Sequence, residues 1–91
     1  MAVIRIPSPL RPYAGGKTEI PVAGETVGAA LADLAGQFPD LRKHLYNESG
    51  ELRPFVNVFL GSEDVRHLQG VDTPISEATQ LRIIPSVAGG Y

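Results

Sequence analysis

Leu81-Arg82-Ile83-Ile84-Pro85-Ser86-Val87-Ala88-Gly89-Gly90-Tyr91 joins a strand pattern to a segment that has none. Leu81 and Ile83 fall on one side of an extended chain and Arg82 and Ile84 on the other, so 81–84 is expected to be a strand whose Leu81 and Ile83 face a core. Pro85 ends it. No apolar periodicity continues beyond, and glycine leaves the backbone unrestrained. A folded domain over 1–85 and a flexible tail over 86–91 follow as the expectation.

Working outward, Phe55-Val56-Asn57-Val58-Phe59-Leu60 is the strongest strand signal, bounded by Pro54 and by the polar turn Gly61-Ser62-Glu63-Asp64. Val56, Val58 and Leu60 are expected inward, with Phe55, Asn57 and Phe59 on the opposite face. Val65-Arg66 reads as a short strand, and the stretch from there to Thr79 as irregular. At the other end, Ala2-Val3-Ile4-Arg5-Ile6 alternates with Ala2, Ile4 and Ile6 together, and Lys17–Val22 places Thr18, Ile20 and Val22 together. Gly15-Gly16 lies between, so the two form a hairpin with a flexible loop, and Pro21 suits an edge strand. Thr26 is a good N-cap for a helix in which Val27, Ala30, Leu31, Leu34 and Phe38 recur at helical spacing until Pro39. Residues 40–53 are read as a loop, with Leu41 and Leu45 fit for a short helical turn and Asn47-Glu48-Ser49-Gly50 for a turn. Hairpin, helix, strand, short strand, strand is the α+β order of a β-grasp (ubiquitin-like) domain: one main helix on a mixed four- to five-stranded sheet. Its first and last strands must then be central neighbours.

The composition suits one small domain: 91 residues, 43% apolar, 20% charged, net charge −2. The Lys and Arg residues are scattered along the sequence, which argues against nucleic acid as a partner. No stretch approaches a membrane span or a signal sequence, so the cytoplasm is the expected location. The absence of cysteine removes disulfides, thiolate metal ligands and a Cys nucleophile.

No catalytic constellation is evident. His44 and His67 lack partners at metal-ligand spacing, Glu63-Asp64 reads as a solvated turn, and Gly15-Gly16 lacks the lysine and the strand-to-helix setting of a phosphate loop. What remains is Val87-Ala88-Gly89-Gly90-Tyr91. Two glycines at the end of an extended tail can pass a narrow channel and bring the Gly90 carbonyl against a nucleotide phosphate.

Over nearly its full length the chain resembles the ThiS/MoaD family of sulfur carriers, and within it the CysO type that serves thiocarboxylate-dependent cysteine biosynthesis. The resemblance runs through Leu10-Arg11-Pro12 with Gly15-Gly16, Gly24 with Thr26-Val27-Gly28, Phe55-Val56-Asn57, Glu63-Asp64-Val65-Arg66, and Ile84-Pro85-Ser86-Val87-Ala88-Gly89-Gly90. It implies a protein substrate rather than an enzyme, with Gly90 as the adenylated and thiocarboxylated residue and Val87, Ala88 and Gly89 as the recognised tail. It further implies an E1-like adenylating and sulfurating enzyme, which uses ATP, and a pyridoxal-phosphate-dependent synthase as sulfur acceptor. Tyr91 departs from the pattern, because mature members end at the second glycine. The resemblance therefore implies cleavage between Gly90 and Tyr91 by a zinc-dependent JAMM-type protease. The chain itself is expected to bind no cofactor or metal. Phe59 and Ile84, outward on the sheet, with Val87 following at the tail root, are candidate partner-binding residues; the alternative is that 40–53 or 66–79 covers them as a satellite core. Molybdopterin or thiamine synthesis as the destination of the sulfur, a ubiquitin-like modifier, and an interaction module with an inert tail are the competing readings.

Overall fold

The computed structural model describes residues 1–54 and 56–85. Strand β1 (Ala2–Arg5) pairs antiparallel with β2 (Glu19–Val22), Ile4 opposite Ile20, and parallel with β5 (Gln80–Pro85), Ile4 opposite Leu81. On its other side β5 meets β3 (Val56–Leu60) antiparallel, Val58 opposite Ile83, and β3 meets the two-residue β4 (Glu63–Asp64). The resulting order is β2-β1-β5-β3-β4. The expected central pairing of first and last strands is present, and Pro21 sits on the edge strand β2. There its carbonyl accepts a hydrogen bond from Gln37 Nε2 at 3.0 Å, which occupies one exposed edge group.

Helix α1 (Val27–Gln37) lies on one face of this sheet. Thr26 Oγ1 accepts from the Ala29 amide at 3.1 Å, satisfying one of the free donors of the first turn. Val27, Ala30, Leu31 and Leu34 are fully buried against Ile4, Ile20, Val56, Val58, Leu81 and Ile83, so helical and strand periodicities meet in one core. Gly24 allows the close approach of β2 to α1. Its φ is +139°, and a Cβ there would lie 2.8 Å from the Ala30 nitrogen. Asp33 also holds the connection, accepting from the Ala23 amide at 3.0 Å and from Gln37 Nε2 at 2.9 Å.

Several segments depart from the sequence expectation. Residues 40–53 are not simply a loop, because Pro39–Leu45 forms a second helix, α2, with Leu41 and Leu45 both fully buried. The proline that ends α1 also begins α2: the residue before a proline is pushed out of helical geometry, whereas proline itself is well suited to a first helical turn. Phe38, the hinge between them, has φ −131° and ψ 84°. The hairpin loop is also built rather than flexible. Ser8–Ala14 forms a 3-10 helix, with Leu10 and Ala14 buried in the core and Arg11 Nε donating to the Ile6 carbonyl at 3.0 Å. Thr18, expected inward, is exposed.

Glu63-Asp64 is a short strand, and Val65-Arg66 belongs to a 3-10 turn over Val65–His67. Asp64 Oδ1 accepts from the Arg66 amide at 2.9 Å, which turns the chain away from the sheet. Arg66 in turn donates to Asn57 Oδ1 at 2.8 Å and to the Pro54 carbonyl at 2.6 Å, fastening this turn to the start of β3. Within the irregular 66–79 stretch, the Val27 amide donates to the Thr73 carbonyl and the Ile75 amide to the Glu25 carbonyl, so the segment clasps the start of α1.

Leu41→Ala should lower the unfolding free energy by about 2–5 kcal/mol in a urea titration, the range for emptying a closed leucine site. A change near zero would mean that α2 is not part of the core. A second expectation concerns acid. The hydrogen bond from the Ala23 amide, then that from the Gln37 amide group, hold the Asp33 carboxyl below its usual range against a smaller opposing effect of burial. A depressed folded pKa gives a contribution that is present above the unfolded value of about 4 and lost as pH falls through the folded value. The stability gap between wild type and Asp33→Asn should therefore be constant near neutrality and close below about pH 4. A gap independent of pH would remove the carboxylate from this role.

Candidate functional site

Because β5 lies between β1 and β3, its backbone is paired on both flanks and its inner residues Leu81 and Ile83 are buried. The chain is thus carried to Pro85 by a strand clamped in the middle of the sheet. The domain boundary at 85, the expected tail 86–91, and the roles assigned to Val87, Ala88, Gly89, Gly90 and Tyr91 lie outside the described residues. What can be built is the surface around the end of β5.

Two walls make it. Parallel pairing puts the ends of β1 and β5 side by side, so Ile6, Pro7 and Ser8 face Ile83 and Ile84 across a depression of about 280 Å³ that Arg11 also lines. The sheet face away from the helices continues from it. One row crosses all five strands through cross-strand partners: Glu19, Arg5, Arg82, Phe59, Asp64. Ile84 lies in the adjoining row, opposite Asn57.

Phe59 and Ile84 are therefore diagonal neighbours, with Arg82 and Asn57 interleaved, and the face is a mixed apolar and charged one. Ile84 is 38% exposed and Phe59 half-buried, and neither belongs to the main core cluster. The segments 40–53 and 66–79 do not bring them into that core: α2 packs on α1 and on the Ser8–Ala14 turn, and Gly70–Asp72 packs on α1.

The remaining polar candidates do not converge. His67 Nδ1 lies 3.3 Å from Glu63 Oε2 on the surface, and His44 stacks on Tyr13 with ring centroids 4.1 Å apart on the α2 side. Burial pushes the Tyr46 hydroxyl pKa up, with a smaller opposing effect from Arg42. Among the described residues no group of three His, Asp or Glu side chains could hold a metal ion, and no helix is long and apolar enough to cross a membrane.

A helix packed on a five-stranded mixed sheet whose first and last strands are parallel neighbours defines a β-grasp protein. The ThiS family model matches residues 4–90, and the chain belongs to this family of small carrier proteins. It is similar to the sulfur carrier protein CysO of Mycobacterium tuberculosis, 37% identical over 89 residues spanning 96% of each chain. The crystal structure of the BexX/CysO complex of Amycolatopsis orientalis matches with a TM-score of 0.87 and 31% identity, covering 99% of this chain and 100% of that one. The solution structure of small archaeal modifier protein 1 from Methanosarcina acetivorans matches with a TM-score of 0.85 and 28% identity, covering 98% and 95%.

The blocks that carried the resemblance have structural reasons. Gly24, Thr26 and Val27 set the approach, the cap and the first buried turn of α1, and Asp64 and Arg66 fasten the turn beneath β3. Phe59→Ala should cost less than about 1.5 kcal/mol in chemical denaturation, as for one half-exposed cross-strand contact, whereas Ile83→Ala should cost about 2–5 kcal/mol. Equal losses would make Phe59 a core residue.

Proposed function

We propose that the chain carries sulfur as a thiocarboxylate on Gly90. A carboxylate is a poor acyl donor, so an E1-like enzyme would first activate it: a carboxylate oxygen attacks the α-phosphorus of ATP and pyrophosphate leaves. Sulfide then attacks the acyl carbon and displaces AMP, leaving a terminal thiocarboxylate. Sulfur is carried in this way by a chain that has no cysteine. The observation that carries the reading is the family match, which extends through Gly90 and stops before Tyr91.

Gly90 precedes Tyr91, so its carbonyl is held in a peptide bond and the acyl group is not free. A zinc-dependent JAMM-type protease is the proposed agent of release. Metal-bound water is a nucleophile near neutral pH, and a Gly-Gly segment gives it unhindered access. Val87, Ala88 and Gly89 would thread the activating enzyme's channel, while Phe59 and Ile84 dock on its surface. Cysteine synthesis by a pyridoxal-phosphate-dependent synthase is the proposed destination, supported by the likeness to CysO. The likeness to small archaeal modifier protein 1 supports a second reading, in which the activated Gly90 passes to a protein amine.

The test gives the cognate adenylating enzyme, ATP and sulfide either the chain through Tyr91 or a chain ending at Gly90. Only the shorter form should gain about 16 Da, the mass difference between sulfur and oxygen, at its terminal carboxyl. Equal conversion of both forms would overturn the blocking role of Tyr91. High-mass adducts in place of the shifted species would favour the modifier. In the same system Phe59→Ala should weaken binding to the adenylating enzyme about tenfold, the scale of a single apolar anchor.

A further inference from the structure

We propose that the cleft at the end of β5 is a docking site for carboxylate side chains of the protein that activates the tail, with Arg5, Arg11 and Arg82 as its anchors. This rests on the carrier reading above and names the chemistry by which the partner is held. The chain has ten Asp and Glu against eight Lys and Arg. Yet three arginines line this one depression and, among the described residues, no carboxylate does.

The arrangement is not one that the isolated domain gains from. Arg5 and Arg82 are cross-strand partners in the β1 and β5 pair, and like charges directly opposite repel. Among the described residues only Arg5 of the three has a counter-charge, Glu19 at 3.7 Å, and both of those side chains are more than half exposed. Arg82 makes a long 3.4 Å contact to the Gly61 carbonyl and, among the described residues, has no carboxylate partner. Arg11 is held in place by its Nε bond to the Ile6 carbonyl at 3.0 Å and by Nη1 to Ser8 Oγ at 3.2 Å. Part of its guanidinium fork is thereby oriented in advance. Ile84 adds an exposed apolar rim.

Guanidinium forks match carboxylates and phosphates in geometry. The width of the positive strip decides between them. In the row across the sheet, Glu19 and Asp64 flank the arginines on the two outer sides, so the strip is confined to the central strands. A short acidic protein segment fits such a strip. A nucleic-acid backbone, with its regular run of phosphates, would meet carboxylates on both sides. Docking here would fix the domain beside the point from which the chain continues to Gly90.

The test has two independent arms. In the first, binding of the chain ending at Gly90 to its cognate adenylating enzyme is measured by calorimetry. Arg82→Glu and Arg11→Glu should each raise Kd at least tenfold, with amide spectra showing an intact fold, while Arg42→Glu on α2 should stay within twofold. Raising the salt from about 0.05 to 0.5 M should weaken wild type toward the variants. Equal effects at Arg42 and Arg82, or salt-independent affinity, would overturn the proposal even where thiocarboxylate still forms, leaving the carrier reading intact. In the second arm, which needs no enzyme, amide shifts are followed on adding hexaglutamate, inorganic phosphate or an oligothymidylate. Shifts centred on Arg5, Arg11 and Arg82 with hexaglutamate, lost in Arg82→Glu, are expected, and their absence overturns the carboxylate site whether or not Gly90 is adenylated. Tighter binding of the oligothymidylate, or shifts spread away from the cleft, overturns it.

Discussion

The parallel pairing of β1 with β5 is the constraint on which the rest depends. Parallel neighbours cannot be joined by a tight turn, so the chain between them must cross over, and here the crossover contains α1, α2 and β3. That pairing buries Ile4 beside Leu81 and lays the sheet's inner face under α1. It also makes the last strand a central one, paired on both sides, so the route toward Gly-Gly starts from one of the most constrained parts of the molecule. In the proposed carrier role, a rigid base would reduce the ordering cost of docking.

The opposite sheet face follows from the same register. Residues alternate in direction along each strand, so every inward Ile4, Leu81 or Val58 forces an outward neighbour, and the register decides which outward residues meet. Arg5 meets Arg82, Arg82 meets Phe59, and Ile84 stands one row nearer the exit. Among the described residues no helix covers this side, so the face carries no packing duty for Ile84, and its aliphatic exposure and the arginines beside it are available to a partner. The chain belongs to a family of carriers, and among its described residues polar groups such as Thr26 and Asp64 cap turns and fasten segments.

Polar side chains do most of the local work that composition alone conceals. Arg66 and Asp64 fix the turn after β4, Thr26 caps α1, and Asp33 with Gln37 ties β2 to the same helix. Each satisfies backbone groups that would otherwise be left without partners where the chain leaves a regular element. Pro39 acts by a different route, through the restriction it imposes on Phe38, and it divides what would be one helix into two that pack against each other.

The sequence by itself determined the elements whose signal is local. Alternation in 2–6, 55–60 and 81–84 and helical spacing from Val27 to Leu34 marked the buried faces, because strand and helix periods are set by covalent geometry. It also marked the family, through short blocks whose glycines, cap and turn residues are demanded by backbone conformation. Tertiary structure alone decided the rest. Leu41 and Leu45 form too short a pattern to declare a helix, and α2 exists because the core closes over both. Ser8–Ala14 looked like a loop because prolines hide a helical turn whose anchors, Leu10 and Ala14, are recognised only by what covers them. Arg5, Arg11 and Arg82 are scattered in sequence and gathered in space, and the only clue was that two of them point outward from strands expected to be neighbours. Charge is a property of residues, but a charged cleft is a property of register, and register is settled only when the whole sheet assembles.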